Sequence, residues 1–303
     1  MEPLVFCIPQ PHHDDLKIQV HQEEEEEEED DDTHDTGLVM WPSAVMLSRR
    51  IAQDPSLILN RGDILELGAG CGLVGLVAAT ILEQEESRTS VMTASSNNAG
   101  ANVIFTDYNP TACENLKRNA HLNKLDHCTS VLGLDFFDQG SLEEEGKDKD
   151  NADDNPTPPS GGCTWTDMNG NPQPQVRVIL AADVIAYSND AMLVATTTHA
   201  CLVEGGHALI LGPNEDRRFG VAHFEEACSR LGLEVHVTTL VADCESWDIT
   251  STNDSIGEHK TDNSISTDTA QQSMLSHDLQ QANGENHGGY DFTLFTVHKP
   301  VSK

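Results

Sequence analysis

The sequence predicts an α/β fold: a doubly wound, mostly parallel sheet of seven strands, with an antiparallel hairpin at its C-terminal edge. Three observations support this prediction. Strand-like and helix-like segments alternate between residues 63 and 240. Residues 176–185 are apolar almost throughout, as expected for a strand that is covered on both faces. The last two strand-like segments have no helical pattern between them, so we expect them to pair with each other.

Each element has its own signal along the chain. The first strand ends in glycines, and a helical pattern follows at once. Pro110 suits the first turn of the next helix, Ser188 can cap a later one, and Gly232 ends the last. The predicted strands are residues 63–70, 102–109, 130–136, 176–185, 207–214, 233–240 and 291–299. The predicted helices are residues 72–84, 110–123, 188–202 and 220–232.

The chain is strongly acidic, with 17 Lys and Arg against 51 Asp and Glu in 303 residues and a formal charge of −34. General electrostatics therefore disfavour nucleic-acid phosphates and anionic membranes as partners. Because apolar stretches are interrupted well before 18 residues, we also expect no membrane span. The partner predicted by charge is a protein with a basic or neutral surface.

Cysteine and histidine usage indicates neither a disulfide framework nor a metal site. The eight cysteines are scattered without a C-x-x-C pair, and the histidines lack the spacing of zinc ligands. The N-terminus lacks the basic and apolar regions of a signal peptide. We therefore expect reduced thiols, no metal, and a cytoplasmic or nuclear location.

The charge is uneven along the chain, which predicts its organisation. Residues 23–32 are all acidic, and we expect residues 1–36 to form a disordered acidic tail. Residues 37–303 are expected to form a single domain and the chain to be a monomer. Two stretches rich in polar residues, glycine and proline, at about 138–175 and 242–289, are predicted to be disordered insertions on that domain.

The segment ELGAGCGLVG, residues 66–75, predicts a nucleotide-binding turn. Gly68, Gly70 and Gly72 alternate along it, so the backbone can turn sharply and approach a ligand where a Cβ atom would collide. The following helix then offers its N-terminus to that ligand. Gly70, Gly72 and Gly75 also satisfy the dinucleotide pattern G-x-G-x-x-G, which leaves a nicotinamide cofactor open as an alternative.

Two carboxylates beside the turn favour S-adenosylmethionine over a dinucleotide. Glu66 stands just before the first glycine, where it would repel a pyrophosphate but suit a cationic sulfonium that also carries an ammonium group. Asp107 ends the second strand, where it can accept hydrogen bonds from both ribose hydroxyls. Either nucleotide would use Asp107, so Glu66 makes the distinction.

Taken together, the motifs resemble those of the seven-stranded, Rossmann-like S-adenosylmethionine-dependent methyltransferases, and specifically the small eukaryotic protein-lysine methyltransferases. The matching pieces occur in the family's order over most of residues 37–240. Besides the glycine turn, they are VMWPSAVMLSRRI (39–51), IFTDYNPTACENLKRNAHLN (104–123), LDF (134–136), ILAADVI (179–185) and GPNEDRRFGVAHFEEACSRLG (212–232).

The resemblance implies cofactor contacts residue by residue. The tryptophan matching Trp41 packs over the cofactor, although here it could also staple the first helix to the sheet. Asp135-Phe136 matches a pair that usually reads Asp-Trp beside the adenine, so Phe136 keeps a stacking face but lacks the indole N–H. Glu66, discussed above, joins the residues that the resemblance implies. The expected cofactor-binding residues are Trp41, Glu66, Gly68, Ala69, Gly70, Asp107, Asp135, Phe136 and Ala182.

The acceptor side departs from the family pattern. Asp183 matches the acid of a D-x-x-aromatic motif beside the methyl acceptor, but Ala186 stands where the family has Tyr or Phe. A β-bulge would let Tyr187 take the missing place; otherwise the acceptor pocket is altered. Asp183 and Tyr187 are therefore the expected catalytic pair, with Asp183 positioning a lysine. A protein histidine, a small amine, or a non-catalytic binding module remain alternatives.

Overall fold

The structure is a computed structural model, and it describes residues 3–11, 13–22, 36–59, 61–92, 101–136, 165–242, 249–251 and 290–301. The strands are β1 (Leu4–Ile8), β2 (Leu16–Val20), β3 (Ile64–Leu67), β4 (Val103–Asp107), β5 (Thr129–Gly133), β6 (Trp165–Thr166), β7 (Pro172–Gln173), β8 (Val176–Ala182), β9 (Leu202–Pro213), β10 (Glu234–Ala242), β11 (Ile249–Ser251) and β12 (Tyr290–His298). The helices are α1 (Pro42–Gln53), α2 (Leu73–Met92), α3 (Pro110–Leu122), α4 (Ser188–Cys201) and α5 (Val221–Arg230).

The main sheet has the order β11-β10-β12-β9-β8-β3-β4-β5. The five strands from β9 to β5 are parallel, whereas β12 is antiparallel to β9 and to β10. The predicted doubly wound, mostly parallel fold with an antiparallel hairpin edge is confirmed. The seven predicted strands are all present, and β11 adds a three-residue strand at the edge.

Two apolar cores cover the two faces of this sheet. Alternate residues of a strand point in opposite directions, so Val178 and Leu180 of β8 join one core while Ile179 and Ala181 join the other. Residues of α1, α2 and α3 contribute to the first core, and residues of α4 and α5 contribute to the second. Because helices cover both faces, the central strands can be apolar throughout.

The prediction of a disordered tail over residues 1–36 is wrong for Leu4–Ile8 and Leu16–Val20. Strands β1 and β2 pair there as an antiparallel hairpin. Leu16, Ile18 and Val20 are buried while Lys17 and Gln19 are exposed, which is the alternation of a strand with one covered face. The acidic run 23–32 that suggested disorder lies outside the described residues.

Two asparagines of α3 and the asparagine that follows its last residue attach this hairpin to the domain. Asn123 accepts a hydrogen bond from the Gln19 backbone N–H (2.9 Å) and donates one to the Gln19 carbonyl (2.6 Å). Asn119 likewise accepts from the His21 backbone N–H (2.7 Å) and donates to its carbonyl (3.0 Å), to which Asn115 also donates (2.9 Å). The amides follow one another at intervals of four residues, so one face of the helix pairs with the strand backbone as a neighbouring strand would.

The predicted insertions are also partly ordered. Strands β6 and β7 form a small hairpin inside the stretch 138–175. Trp165 anchors this hairpin, since it is fully buried and its indole Nε1–H donates to the Pro174 carbonyl at 2.8 Å. Strand β11 lies inside the stretch 242–289 and pairs with β10. Disorder is therefore the wrong prediction for residues 165–175 and 249–251, while residues 137–164, 243–248 and 252–289 lie outside the described residues. Within the described part, none of the helices is both long and apolar enough to cross a bilayer.

Candidate functional site

A cavity of about 580 Å³ opens at the carboxyl ends of β3, β4 and β8. Ligands of open α/β sheets bind at this edge. The structure brings all eleven predicted site residues to the wall of this one cavity, although they come from six separate parts of the chain. They are Trp41, Glu66, Gly68, Ala69, Gly70, Asp107, Asp135, Phe136, Ala182, Asp183 and Tyr187.

The glycine turn has the backbone that its sequence predicts. Gly68 and Gly70 have φ of 58° and 52°, in the left-handed region that favours glycine. A Cβ atom on Gly68 would lie 2.8 Å from Cγ1 of Val184, and one on Gly70 would lie 3.1 Å from the Gly37 carbonyl oxygen. The turn therefore requires glycine at both positions, for conformation and for space.

Asp107 holds this turn in place. Its carboxylate is 5% exposed and accepts hydrogen bonds from the backbone N–H of Gly70 (2.9 Å) and of Asn109 (3.0 Å). A carboxylate can accept further bonds beyond two. Asp107 can therefore contact a ligand in the cavity while it fixes the backbone beside that ligand.

Glu66 lies beneath the turn and is almost completely buried. Its carboxyl Oε2 accepts a hydrogen bond from the Gly75 backbone N–H, at the start of α2, at 2.9 Å. Burial, helped by the nearby Asp107 charge, raises the pKa of Glu66 to about 8, although the Gly75 hydrogen bond acts in the opposite direction. Glu66 is thus mostly protonated at pH 7, and a cation in the cavity would favour its ionised form.

The cavity fits S-adenosylmethionine better than a dinucleotide. The carboxyl group of Asp107 lines the wall, and that of Glu66 can ionise beside a cation, so the wall suits a ligand with a sulfonium and an ammonium better than a pyrophosphate. Phe136 and Leu134 supply an apolar wall for a base. A Cβ atom on Gly75 would collide with Phe105 and Glu66, so close packing inside the domain explains this third glycine of the dinucleotide pattern.

The side of the cavity where the sequence predicts the methyl acceptor contains an ion pair that the sequence analysis missed. The Asp183 side chain is 4% exposed, and its Oδ1 accepts a hydrogen bond from Nε of Arg218 at 3.0 Å. Burial raises the pKa of Asp183, and the Arg218 guanidinium counteracts this. That guanidinium also lies over the Trp41 ring, 5.3 Å from its centroid. The two consecutive arginines at 217 and 218, in so acidic a chain, were the available signal.

Tyr187 reaches the cavity mouth from a loop. Strand β8 ends at Ala182, and the irregularity in its pairing lies at the other end, between Val176 and Val178. Of the two alternatives that the sequence left open, a bulge at this end of β8 is therefore absent from the described pairing. Instead, Asp190 accepts hydrogen bonds from the backbone N–H groups of Ala186 (3.0 Å) and Tyr187 (2.7 Å), which fixes the loop before α4. The Tyr187 side chain is 74% exposed.

The backbone at Asp183 is also unusual. Its φ is 58°, a left-handed value that is uncommon for residues other than glycine, although Asp is among those that adopt it most readily. The Asp183 N–H donates to the Leu211 carbonyl at 2.8 Å, so the neighbouring strand holds this conformation. Among the described residues, no group of three His, Cys, Asp or Glu side chains could hold a metal ion.

Residues 20–149 match the sequence profile of a family described as lysine methyltransferases. This match confirms the resemblance seen in the motifs and, with it, S-adenosylmethionine as the cofactor of the class. It covers the glycine turn and Asp107, but it ends before Asp183 and Arg218. The roles of the individual site residues stay predictions.

One curated relative and several solved structures are also similar. An uncharacterised protein of Dictyostelium discoideum is 32% identical over 115 residues, which are 38% of this chain and 27% of the relative. The match thus spans about a quarter of that relative's length. A TehB-like SAM-dependent methyltransferase from Corynebacterium glutamicum aligns with a TM-score of 0.43 and 14% identity, over 84% of this chain and 87% of that one. An O-methyltransferase from Bacillus cereus, solved in complex with SAH, has a TM-score of 0.42 and 13% identity, over 86% and 82%.

Proposed function

We propose that this chain is an S-adenosylmethionine-dependent methyltransferase that modifies a lysine side chain of a protein. The observation that carries the proposal is a single cavity in which the glycine turn, with Glu66 and Asp107, meets Asp183 and Tyr187 at the mouth. The first set suits a cationic sulfur nucleoside, and the second suits an amine that enters from solvent. The family match over residues 20–149 supports the same class.

The cofactor would lie along the glycine turn. Gly68, Ala69 and Gly70 would contact its methionine part, and Asp107 its ribose. Phe136 and the neighbouring Asp135 would border the adenine, with Trp41 and Ala182 completing the wall. In this arrangement the carboxylates lie near the positive charges of the ligand and attract them, and the apolar side chains cover its base.

Methyl transfer needs alignment more than covalent help from the protein. S-adenosylmethionine supplies a methyl group on a positively charged sulfur, which leaves with the electron pair of its carbon–sulfur bond as the acceptor nitrogen forms the new bond. Asp183 would orient that nitrogen from the end of β8. A lysine, with a reference pKa near 10.4, must first lose a proton to water so that its lone pair can react.

The exposed mouth and the charge of the chain support a protein substrate. Tyr187 is 74% exposed, and Tyr108, which also lines the cavity, is 64% exposed, so the cavity wall is open to solvent and to a side chain that projects from another protein. A formal charge of −34 favours a basic or neutral surface around the target lysine. A monomer in the cytoplasm or nucleus, without nucleic-acid or membrane partners, completes the proposal.

A second acceptor class is favoured by one observation. Ala186 stands where the resemblance leads us to expect Tyr or Phe, and Tyr187 follows one position later. A protein histidine or a small amine would then replace lysine. A non-catalytic module that only binds the cofactor is the remaining alternative, and the experiment below separates all three.

The test has two stages. Calorimetry with S-adenosylmethionine and with NADH decides the cofactor; NADH binding without S-adenosylmethionine binding contradicts the proposal. Incubation with radiolabelled S-adenosylmethionine and a cell lysate then detects transfer, and mass spectrometry identifies the modified residue. Labelled lysine supports the proposal, labelled histidine or a labelled small amine supports the second class, and cofactor binding without labelled product leaves the non-catalytic module.

A further inference from the structure

Three side chains that are far apart in the sequence meet at the acceptor end of the cavity. Asp183 follows β8, Arg218 lies in the turn before α5, and Trp41 precedes α1. Arg218 contacts both of the others, through a 3.0 Å hydrogen bond to the Asp183 carboxylate and by lying 5.3 Å from the centroid of the Trp41 ring. These two contacts hold the guanidinium in one position. The planar, forked guanidinium of arginine suits it to such a combination of an ion pair and an aromatic contact.

Packing of the surrounding loops holds the guanidinium in this place. A Cβ atom on Gly220 would collide with the backbone of Tyr187, so the turn carrying Arg218 and the loop after Asp183 are in close contact. The Arg218 side chain is 30% exposed and the Asp183 side chain only 4%. The carboxylate of the pair is thus shielded from solvent, so water and salt screen its attraction to the guanidinium only weakly.

The pair bears on a chemical problem of the proposed reaction. An unpaired carboxylate beside the acceptor would stabilise a lysine ammonium, which has no lone pair for attack. A carboxylate that is already paired with a guanidinium can still accept a hydrogen bond from an amine, but its charge is largely cancelled. The local charge at the acceptor position therefore favours a neutral nitrogen.

We infer that Arg218 is a positioning residue that neutralises Asp183 and so selects a neutral acceptor nitrogen over a cationic one. This inference rests on the proposed function. It also fits the second acceptor class, since a histidine is uncharged near neutral pH. The acceptor's proton goes to water before transfer, through the mouth beside the exposed Tyr187.

Other ionisable groups line the same cavity and contribute to the local charge around Asp183. Of these, Asp107 and Asp190 already accept backbone hydrogen bonds, and burial keeps Glu66 mostly protonated. Only Arg218 is a cation that contacts Asp183 among the described ion pairs. The remaining groups that line the cavity are Asp135, Tyr108, Tyr187 and the Cys71 thiol.

The inference can be tested by ligand binding, without turnover. The protein is saturated with S-adenosylhomocysteine, the product form of the cofactor, and titrated with n-butylammonium or n-butanol while NMR follows binding. These probes have the length of a lysine side chain and differ in charge at pH 7.5. Arg218→Met should shift the ratio of the two dissociation constants at least tenfold toward the cation, whereas Arg218→Lys, which keeps a positive charge, should retain the wild-type ratio.

An exposed ion pair offers the matched control. Arg230 pairs with Glu226 on α5 at 2.7 Å, with both side chains more than half exposed, so Arg230→Met should leave the ratio unchanged. An unchanged ratio in Arg218→Met overturns the inference, as does failure of both probes to bind beside the cofactor product in the wild type. If S-adenosylhomocysteine itself does not bind, the proposed function fails instead. Circular dichroism checks that each variant is folded.

Discussion

The two ends of the cavity are built in different ways. At the end where we propose that the cofactor binds, here the cofactor end, the backbone sets the shape: Gly68 and Gly70 form the turn, and Asp107 holds it through a backbone N–H. At the end where we propose that the methyl acceptor binds, here the acceptor end, side chains from three distant segments meet, and the central contact joins Asp183 to Arg218, 35 residues away. The cofactor end is thus encoded by a short motif, whereas the acceptor end exists only in the folded chain.

The largest expected effect is at the cofactor end. Asp107→Ala removes the acceptor for the ribose and the carboxylate that holds Gly70, so S-adenosylmethionine binding should weaken by roughly 1.5–3 kcal/mol, the range for a hydrogen bond to a charged group. Calorimetry measures this change. Asp126→Ala, which removes an exposed carboxylate outside the cavity, should bind the cofactor like the wild type. Unchanged affinity in Asp107→Ala would show that this end does not hold the ribose.

A smaller effect is expected at the acceptor end. Asp183→Asn keeps the shape of the residue and can still adopt a left-handed φ, but it loses the charge that pairs with Arg218. The transfer rate should fall about tenfold, roughly 1.4 kcal/mol in activation free energy, while cofactor affinity changes by less than threefold. Single-turnover measurements with labelled cofactor separate the two quantities. Equal losses of both would mean that the two ends do not act separately.

Glu66 links the cofactor end to pH. Since its pKa is about 8 in the folded protein, above the ordinary value of 4.5, it holds a proton at pH 7 that a bound cation should displace. Calorimetry in two buffers of different ionisation enthalpy should detect release of up to about one proton at pH 7. Glu66→Gln should abolish that part of the release, and a wild type that releases none contradicts the role given to Glu66.

The same shift predicts the pH dependence of stability in the absence of ligand. A raised folded-state pKa gives a contribution that is fully present below the unfolded pKa of 4.5 and is lost as pH rises through about 8. The melting temperature of Glu66→Gln, relative to that of the wild type at the same pH, should therefore be higher at pH 8 than at pH 5. The opposite trend would mean that Glu66 is ionised in the folded protein at neutral pH.

The smallest effect is expected at the mouth. Because the Tyr187 side chain is 74% exposed, its hydroxyl is largely hydrated, and Tyr187→Phe should change the transfer rate by less than about 0.5 kcal/mol. Tyr187→Ala, which also removes the ring, should lower the rate more. A large loss in Tyr187→Phe would instead assign a chemical role to the phenol, which would sharpen the description of the acceptor end.

The parts of the fold that the sequence predicts correctly are those with a strong local pattern. The apolar run of β8 and the glycines after β3 are readable without tertiary information. The hairpin β1–β2 was not predicted because the ten consecutive acidic residues that follow it indicated disorder. Leu16, Ile18 and Val20 nevertheless alternate clearly with polar residues. Short strands such as these depend on burial against the rest of the domain.

The site shows the same limit. That Gly68, Gly70 and Asp107 would line one cavity could be predicted, because these residues follow strand ends. Two consecutive arginines at 217 and 218 stand out in so acidic a chain, but nothing local indicates that the guanidinium of Arg218 would meet Asp183 and the Trp41 ring. Likewise, the sequence left open how Tyr187 is positioned, and the structure shows a loop whose backbone N–H groups donate to Asp190.

The attachment of the N-terminal hairpin has a practical consequence for work on this chain. Asn119, which is fully buried, pairs with the backbone of His21 and also donates to the Cys71 carbonyl beside the glycine turn at 2.9 Å. A protein trimmed to begin at residue 36 would expose this amide and the part of α3 that binds the hairpin, next to the glycine turn. Purification handles for this chain are therefore better placed ahead of Leu4 than in exchange for the first 22 residues.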